Sequence, residues 1–125
     1  MKIGISSEGS DLDGRVDKNF GRCRYFAVIE VEDGKIVGTK FIENTAATQS
    51  GGAGVAASQL IANEGVDVII ASNIGPRSLD VFGQLGIKMF KGEGKLNDVT
   101  KDFIDGKLPE IKSATGPRHF GLGGM

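Results

Sequence analysis

The densest group of chemically capable side chains lies in the run FGRCRYF (20–26), where Cys23 stands between Arg22 and Arg24. Guanidinium groups close to a thiol favour its thiolate, which is the form that binds metals. In an alternating strand, however, the two arginines would point away from the thiol. A lone free cysteine is also commonly a buried packing residue. The run therefore indicates either a ligand or anion site, or core packing around Cys23.

Two glycine-containing helix starts offer a second kind of anion site. Gly52 and Gly54 precede a helical stripe of apolar residues, while Asn73 and Gly75 lead into a second helix that carries Arg77 in its first turn. Free backbone N–H groups at such helix starts bind anions, and an arginine adds charge. We therefore predict that these five residues bind a ligand together with the residues around Cys23.

The side chains needed for catalysis are scarce. His119 is the single histidine, and it falls in a glycine-rich C-terminal stretch that cannot hold a base in register with a nucleophile. A two-metal nuclease would need several carboxylates on the first and fourth strands, but the first has no acidic residue in its body and the fourth has only Asp67. The run 52–57 fits the dinucleotide pattern G-x-G-x-x-A, but it does not follow a parallel strand directly, which favours close helix packing instead. We expect no enzymatic activity, with Cys23 and His119 as the candidate metal ligands.

Composition limits the class of partners. Among 125 residues, 15 are Lys or Arg and 16 are Asp or Glu, for a net charge of -1. This balance gives no global field for nucleic acid or an anionic membrane. The apolar runs are far shorter than the roughly 20 residues that span a bilayer. The start of the chain lacks a signal-peptide core and the single cysteine excludes an internal disulfide, so we expect a cytoplasmic protein.

Hydrophobic periodicity predicts the elements that position these residues. Asp33 and Gly34 form the tight turn of a hairpin. One helix is predicted over 55–64, a second begins at Pro76, and a third is ended by Gly106. Short apolar or alternating runs predict strands at 1–6, 25–32, 35–42, 66–71 and 87–90.

This order of elements predicts an α/β fold with a mixed five-stranded sheet and helices on both faces. Right-handed crossovers place the strands in the order 3-2-1-4-5. A single domain is expected over 1–112, followed by a flexible glycine-rich tail over 113–125. Ligand crevices in such sheets lie at the carboxyl ends of the strands where the winding reverses, here between the first and fourth strands.

Six short motifs occur together along the chain: FGRCRYF (20–26), EVEDG (30–34), ENTAA (43–47), GGAG (51–54), VDVII (66–70) and IGPR (74–77). In these motifs the chain resembles the dinitrogenase iron–molybdenum cofactor biosynthesis family, particularly its small stand-alone archaeal and bacterial members. The resemblance covers roughly residues 1–108 and implies a ribonuclease-H-like α/β motif with the same strand order. It also implies non-catalytic binding or carriage of an iron–molybdenum or other metal–sulfur cofactor, or its precursor, with cluster-assembly scaffold or ATPase proteins as partners.

One cysteine and one histidine cannot provide the four ligands that a standard iron–sulfur cluster takes from protein. Either a homodimer pools ligands, or the bound species is a preassembled thiometallate anion that brings its own sulfides. The second hypothesis, which we prefer, needs only N–H groups, arginines and at most one soft ligand. The competing class is a small-anion or nucleotide-binding sensor or interaction module that uses the same helix starts.

Overall fold

A five-stranded mixed sheet organises the chain. The structure is a computed structural model that describes residues 1–113. The strand order is β3-β2-β1-β4-β5, which confirms the predicted arrangement. β1 runs antiparallel to β2 and parallel to β4. The strands are β1 (Lys2–Ser7), β2 (Tyr25–Glu32), β3 (Lys35–Glu43), β4 (Val68–Ala71) and β5 (Lys88–Lys91).

Three helices cover the two faces of this sheet, as predicted. They are α1 (Ala53–Ala62), α2 (Pro76–Leu85) and α3 (Leu96–Ile104). α1 begins two residues before the predicted position because its first turn is built of small residues, which carry no hydrophobic period. Buried residues of α1 and α2 pack on one face of the sheet, and buried residues of α3 pack on the other. Alternate residues of the central strands therefore contribute to two separate cores.

The hairpin forms at the predicted turn. Asp33 and Gly34 both have positive φ, 52° and 76°, the conformation that a two-residue hairpin turn requires. Further along the pair, Glu30 faces Gly38 and Val31 faces Ile36, which leaves Val37 as the extra residue of a β-bulge. Within residues 1–113, no strand pairs with the outer side of β3.

The long polar segment between β1 and β2 is hydrogen-bonded to the residues at the start of α3. Val16 N donates to Gly94 O at 2.8 Å, and Leu96 N donates to Gly14 O at 2.9 Å. The segment then ends in a short 3₁₀ turn, Phe20–Arg22. Between these contacts and the turn, Asp17 N donates to Ser6 O at 2.9 Å, which links the segment to β1. No helix in the described range is long and apolar enough to cross a membrane.

The packing of α2 on the sheet can be tested by substitution of Phe82. Its side chain is fully buried, and its ring lies edge-on to that of Phe20 at 5.6 Å between centroids. Phe82→Ala should lower the free energy of unfolding by about 3–5 kcal/mol, because it leaves a cavity in the core. Leu85→Ala, which trims a side chain that is 57% exposed on the same helix, should change it by less than about 0.5 kcal/mol. Urea denaturation of both variants measures this, and equal losses would contradict the packing described.

Candidate functional site

A cleft of about 600 Å³ opens beyond the carboxyl end of β4. Its three walls are the turn that precedes β2, the start of α1 and the start of α2. The residues that line it are Lys18, Asn19, Phe20, Gly21, Arg22, Gly52, Ala53, Gly54, Val55, Asn73, Gly75, Pro76, Arg77 and Ser78. Segments separated by more than fifty residues in the sequence thus meet at one edge of the sheet.

Most of the residues predicted from the sequence meet in this cleft. Those that line it are Arg22, Gly52, Gly54, Asn73, Gly75 and Arg77. The structure does not bring Cys23 or Arg24 into the lining. Sequence reasoning also missed Lys18, a charged residue of the long polar segment. The length of that segment was a signal of function, but it did not single out Lys18.

Positive charge dominates the cleft. Lys18, Arg22 and Arg77 line it, and the lining contains no aspartate or glutamate. Within residues 1–113 the ion pair that forms is Lys40–Glu64, at 2.8 Å, so no carboxylate neutralises the three cations at salt-bridge distance. A local cationic surface therefore exists on a chain whose net charge is -1.

The two helix starts reinforce this field. Gly52 and Gly75 occupy the N-cap positions of α1 and α2, and neither provides a side-chain cap. The first turns of both helices also lack acidic residues. The backbone N–H groups there carry partial positive charge and find no partner within their own helix. The cleft can therefore donate several hydrogen bonds to an anion.

Arg22 links the turn before β2 to the loop that contains Ala47. Arg22 Nη1 donates to Ala47 O at 2.8 Å. This bond uses one of the five N–H donors of the guanidinium, which leaves the others for a ligand. Beneath the charged rim, Phe20 forms part of the lining and packs on Phe26 with 5.1 Å between ring centroids. The cleft thus combines a cationic rim with an apolar floor.

Two glycines allow the walls to meet. A Cβ added at Gly21 would lie 3.0 Å from Gly54 Cα, so the two backbones are in direct contact. The carbonyl of Gly54 accepts hydrogen bonds from Ser58 Oγ at 2.7 Å and Ser78 Oγ at 3.3 Å. Gly54 consequently contacts the turn on one side and α2 on the other.

Cys23 lies in the core rather than on the cleft surface. It is 0% exposed, and burial raises the pKa of its thiol from 9.0 to about 12. The thiol is therefore protonated at neutral pH, and the thiolate expected from the flanking arginines is not favoured. The guanidinium of Arg24 is exposed and lies 5.7 Å from the centroid of the Tyr25 ring. The placement of Cys23 supports the core-packing interpretation.

The structure assembles no metal-binding cluster from its own side chains in the described range. Within residues 1–113, no three His, Cys, Asp or Glu side chains lie together as a metal site requires. The predicted ligand His119 and the predicted tail beyond Ser113 lie outside the described residues.

Sequence comparison assigns the chain to a family. It belongs to the dinitrogenase iron-molybdenum cofactor family, whose profile matches residues 1–106. An uncharacterised protein of Methanocaldococcus jannaschii is 39% identical over 113 residues, which cover 90% of this chain and 92% of that protein. The resemblance inferred from the motifs is thus confirmed.

Structural comparison agrees with this assignment. The apo form of the orange protein from Desulfovibrio gigas matches with a TM-score of 0.85 and 30% identity, covering 92% of this chain and 96% of that one. A Thermotoga protein solved by NMR matches with a TM-score of 0.76 and 28% identity, covering 94% and 98% of the two chains. The likeness spans nearly the whole of both solved structures.

The buried thiol predicts a specific pH dependence of stability. The unfolded thiol ionises near 9.0 while the folded thiol stays protonated to about 12. The contribution of the buried thiol to the free energy of unfolding is fully present below pH 9.0. It is lost as the pH rises toward the pKa of the thiol in the folded protein. Relative to Cys23→Ala, the wild type should lose up to about 1.4 kcal/mol of unfolding free energy per pH unit across that window. Urea denaturation of both proteins from about pH 8 to about pH 11 measures the difference, and parallel profiles would contradict the burial of the thiol.

Proposed function

We propose that this protein binds and carries a preassembled metal–sulfur anion, of iron–molybdenum type or a related thiometallate, without catalysing a reaction on it. The observation that carries the proposal is the cationic cleft that has no acidic residue in its lining, in a chain of the dinitrogenase iron-molybdenum cofactor family. The structural likeness to a protein solved in an apo form supports a binding role.

The donor chemistry favours a ligand that brings its own sulfides. A protein-ligated iron–sulfur cluster needs thiolates, and the single cysteine is buried and protonated. Guanidinium and backbone N–H groups instead stabilise an anion by charge and hydrogen bonding, without covalent bonds to the metal. Arg22, Arg77 and Lys18 would bind the outer surface of such an anion, with the helix starts donating from two sides.

An apolar floor beneath charged donors suits the same ligand. Sulfide-coordinated metal anions spread their charge over large, polarisable atoms, so they lose less on leaving water than compact oxyanions do. Phe20 and Val55 would contact this surface without offering a competing polar group. The cleft lining contains no His, Cys, Asp or Glu, which are common general acids, general bases and nucleophiles, and this composition supports carriage rather than catalysis.

Carriage requires a donor and an acceptor of the anion. We propose cluster-assembly scaffold or ATPase proteins for these roles, and a homodimer remains the alternative by which ligands would be pooled. The competing proposal, a sensor or interaction module for small anions or nucleotides, rests on the same helix starts. The two differ in colour, because a metal–sulfur ligand absorbs visible light whereas a nucleotide is colourless and absorbs only in the ultraviolet.

The first test is anaerobic isolation followed by a visible spectrum and analysis for iron, molybdenum, copper and sulfide. A fixed ratio of metal to sulfide would support carriage. A colourless, metal-free protein that also fails to take up tetrathiomolybdate would contradict it. A ligand that absorbs near 260 nm without metal would favour the nucleotide alternative.

Arg77 provides the second test. Arg77→Gln removes one of the three cleft cations and should weaken tetrathiomolybdate binding about fivefold at low salt, the equivalent of about 1 kcal/mol. Arg24→Gln is the matched control, because Arg24 is exposed outside the cleft and should leave affinity unchanged within about twofold. Anaerobic spectrophotometric titration measures both. Equal effects of the two substitutions would show that only the overall charge of the protein matters.

A further inference from the structure

Asn44 joins two parts of the cleft although it does not line it. The residue follows β3 directly and is 4% exposed. Its Nδ2 donates to Gly21 O at 3.2 Å and to Cys23 O at 2.9 Å. Its Oδ1 accepts a hydrogen bond from Ala46 N at 3.1 Å. Both N–H donors and the carbonyl oxygen of the amide are therefore engaged with backbone.

The backbone of Asn44 adds a further link to the same turn. Asn44 N donates to Arg24 O at 3.0 Å. Through its side chain, Asn44 also binds the carbonyls of Gly21 and Cys23, which flank Arg22. Arg22 in turn donates to Ala47 O. The bonds leave little freedom for the peptide units that aim the Arg22 side chain into the cleft.

The contacts of Gly21 carry this constraint to the other walls. Its backbone packs against Gly54 at the start of α1, with only 3.0 Å between an added Cβ and Gly54 Cα. Gly54 O accepts a hydrogen bond from Ser78 Oγ in the first turns of α2. A continuous path of direct contacts therefore leads from Asn44 through Gly21 and Gly54 to Ser78.

We infer that Asn44 is the positioning residue of the cleft, which holds the cation-bearing turn against the two helix starts so that all three walls act on one ligand. The inference rests on the proposed function only for its ligand, since the path of contacts is independent of what the cleft binds. An amide is suited to this position because it offers two N–H donors and an acceptor on a short, uncharged side chain. Aspartate lacks the donors, and alanine would leave two buried carbonyls without them.

Tetrathiomolybdate titration of Asn44→Ala, under anaerobic conditions, tests the inference. We expect the dissociation constant to rise at least about tenfold, because the turn no longer presents Arg22 beside the helix starts. Thr100→Ala is the matched control for lost stability. Thr100 is also fully buried, and its Oγ1 donates to Leu96 O at 2.8 Å, but it packs in α3 on the opposite face of the sheet. The control should bind like the wild type at a temperature where circular dichroism shows every protein folded.

Gly21→Ala provides a second variant that leaves the Asn44 amide intact. Its new Cβ should push the turn away from α1 and weaken binding to a similar extent. Because both substitutions break one path, their combination should cost much less than the product of the two separate losses. Should Asn44→Ala fail to fold, unchanged affinity in Gly21→Ala overturns the inference. Wild-type affinity in Asn44→Ala, or an equal loss in Thr100→Ala, overturns it as well.

A structural readout separates this inference from the proposed function. If the wild type binds no tetrathiomolybdate, the proposed function fails on its own. The backbone amide resonances of Gly54 and Ser78 then decide the role of Asn44. Their displacement in Asn44→Ala, without displacement in Thr100→Ala, supports positioning, and unchanged resonances in Asn44→Ala overturn it.

Discussion

The backbone contact between Gly21 and Gly54 is the constraint on which the cleft depends. It allows the turn before β2 to lie directly on the first turn of α1, at a distance where a Cβ on Gly21 would crowd the backbone of Gly54. The same turn carries Arg22, whose side chain lines the cleft together with the two helix starts. Ser78 then fixes α2 to the carbonyl of Gly54. Three segments far apart in the chain therefore meet at Gly54, which the turn can approach closely because Gly21 has no side chain.

The electrostatic character of the cleft follows from this geometry and from what surrounds it. Cations brought together without carboxylates repel one another, and uncapped helix starts add partial positive charge. The buried rings of Phe20, Phe26 and Phe82 and the two cores on either face of the sheet hold the walls in place against this repulsion. An anionic ligand would relieve the repulsion between these cations. The fold thus creates a local positive potential that the near-neutral net charge of the whole chain does not reveal.

The sequence predicted the sheet and the start of α2 well because their signals are local, whereas α1 begins two residues before its predicted position. Alternation identifies the strands, and the positive φ of Asp33 and Gly34 follows from the chemistry of the turn. The position of Cys23 was not predictable, since its burial depends on how the turn packs on the sheet and not on its neighbours in the sequence. Lys18 and Asn44 were missed for a related reason. Their roles arise from contacts across the fold. Lys18 lies outside the motifs, and the ENTAA motif (43–47) by itself gives Asn44 no role.

The bulge in the β2–β3 pair has a consequence for solubility. An outer strand exposes backbone donors and acceptors that can pair with another sheet, which is a route to aggregation. β3 has nine residues, and it exposes Ile36 and Val37 near the bulge. The bulge twists this strand out of the flat geometry that edge-to-edge pairing needs, and Lys35 and Lys40 place charge along it. The hairpin that borders the sheet is thereby protected against growth into a larger one.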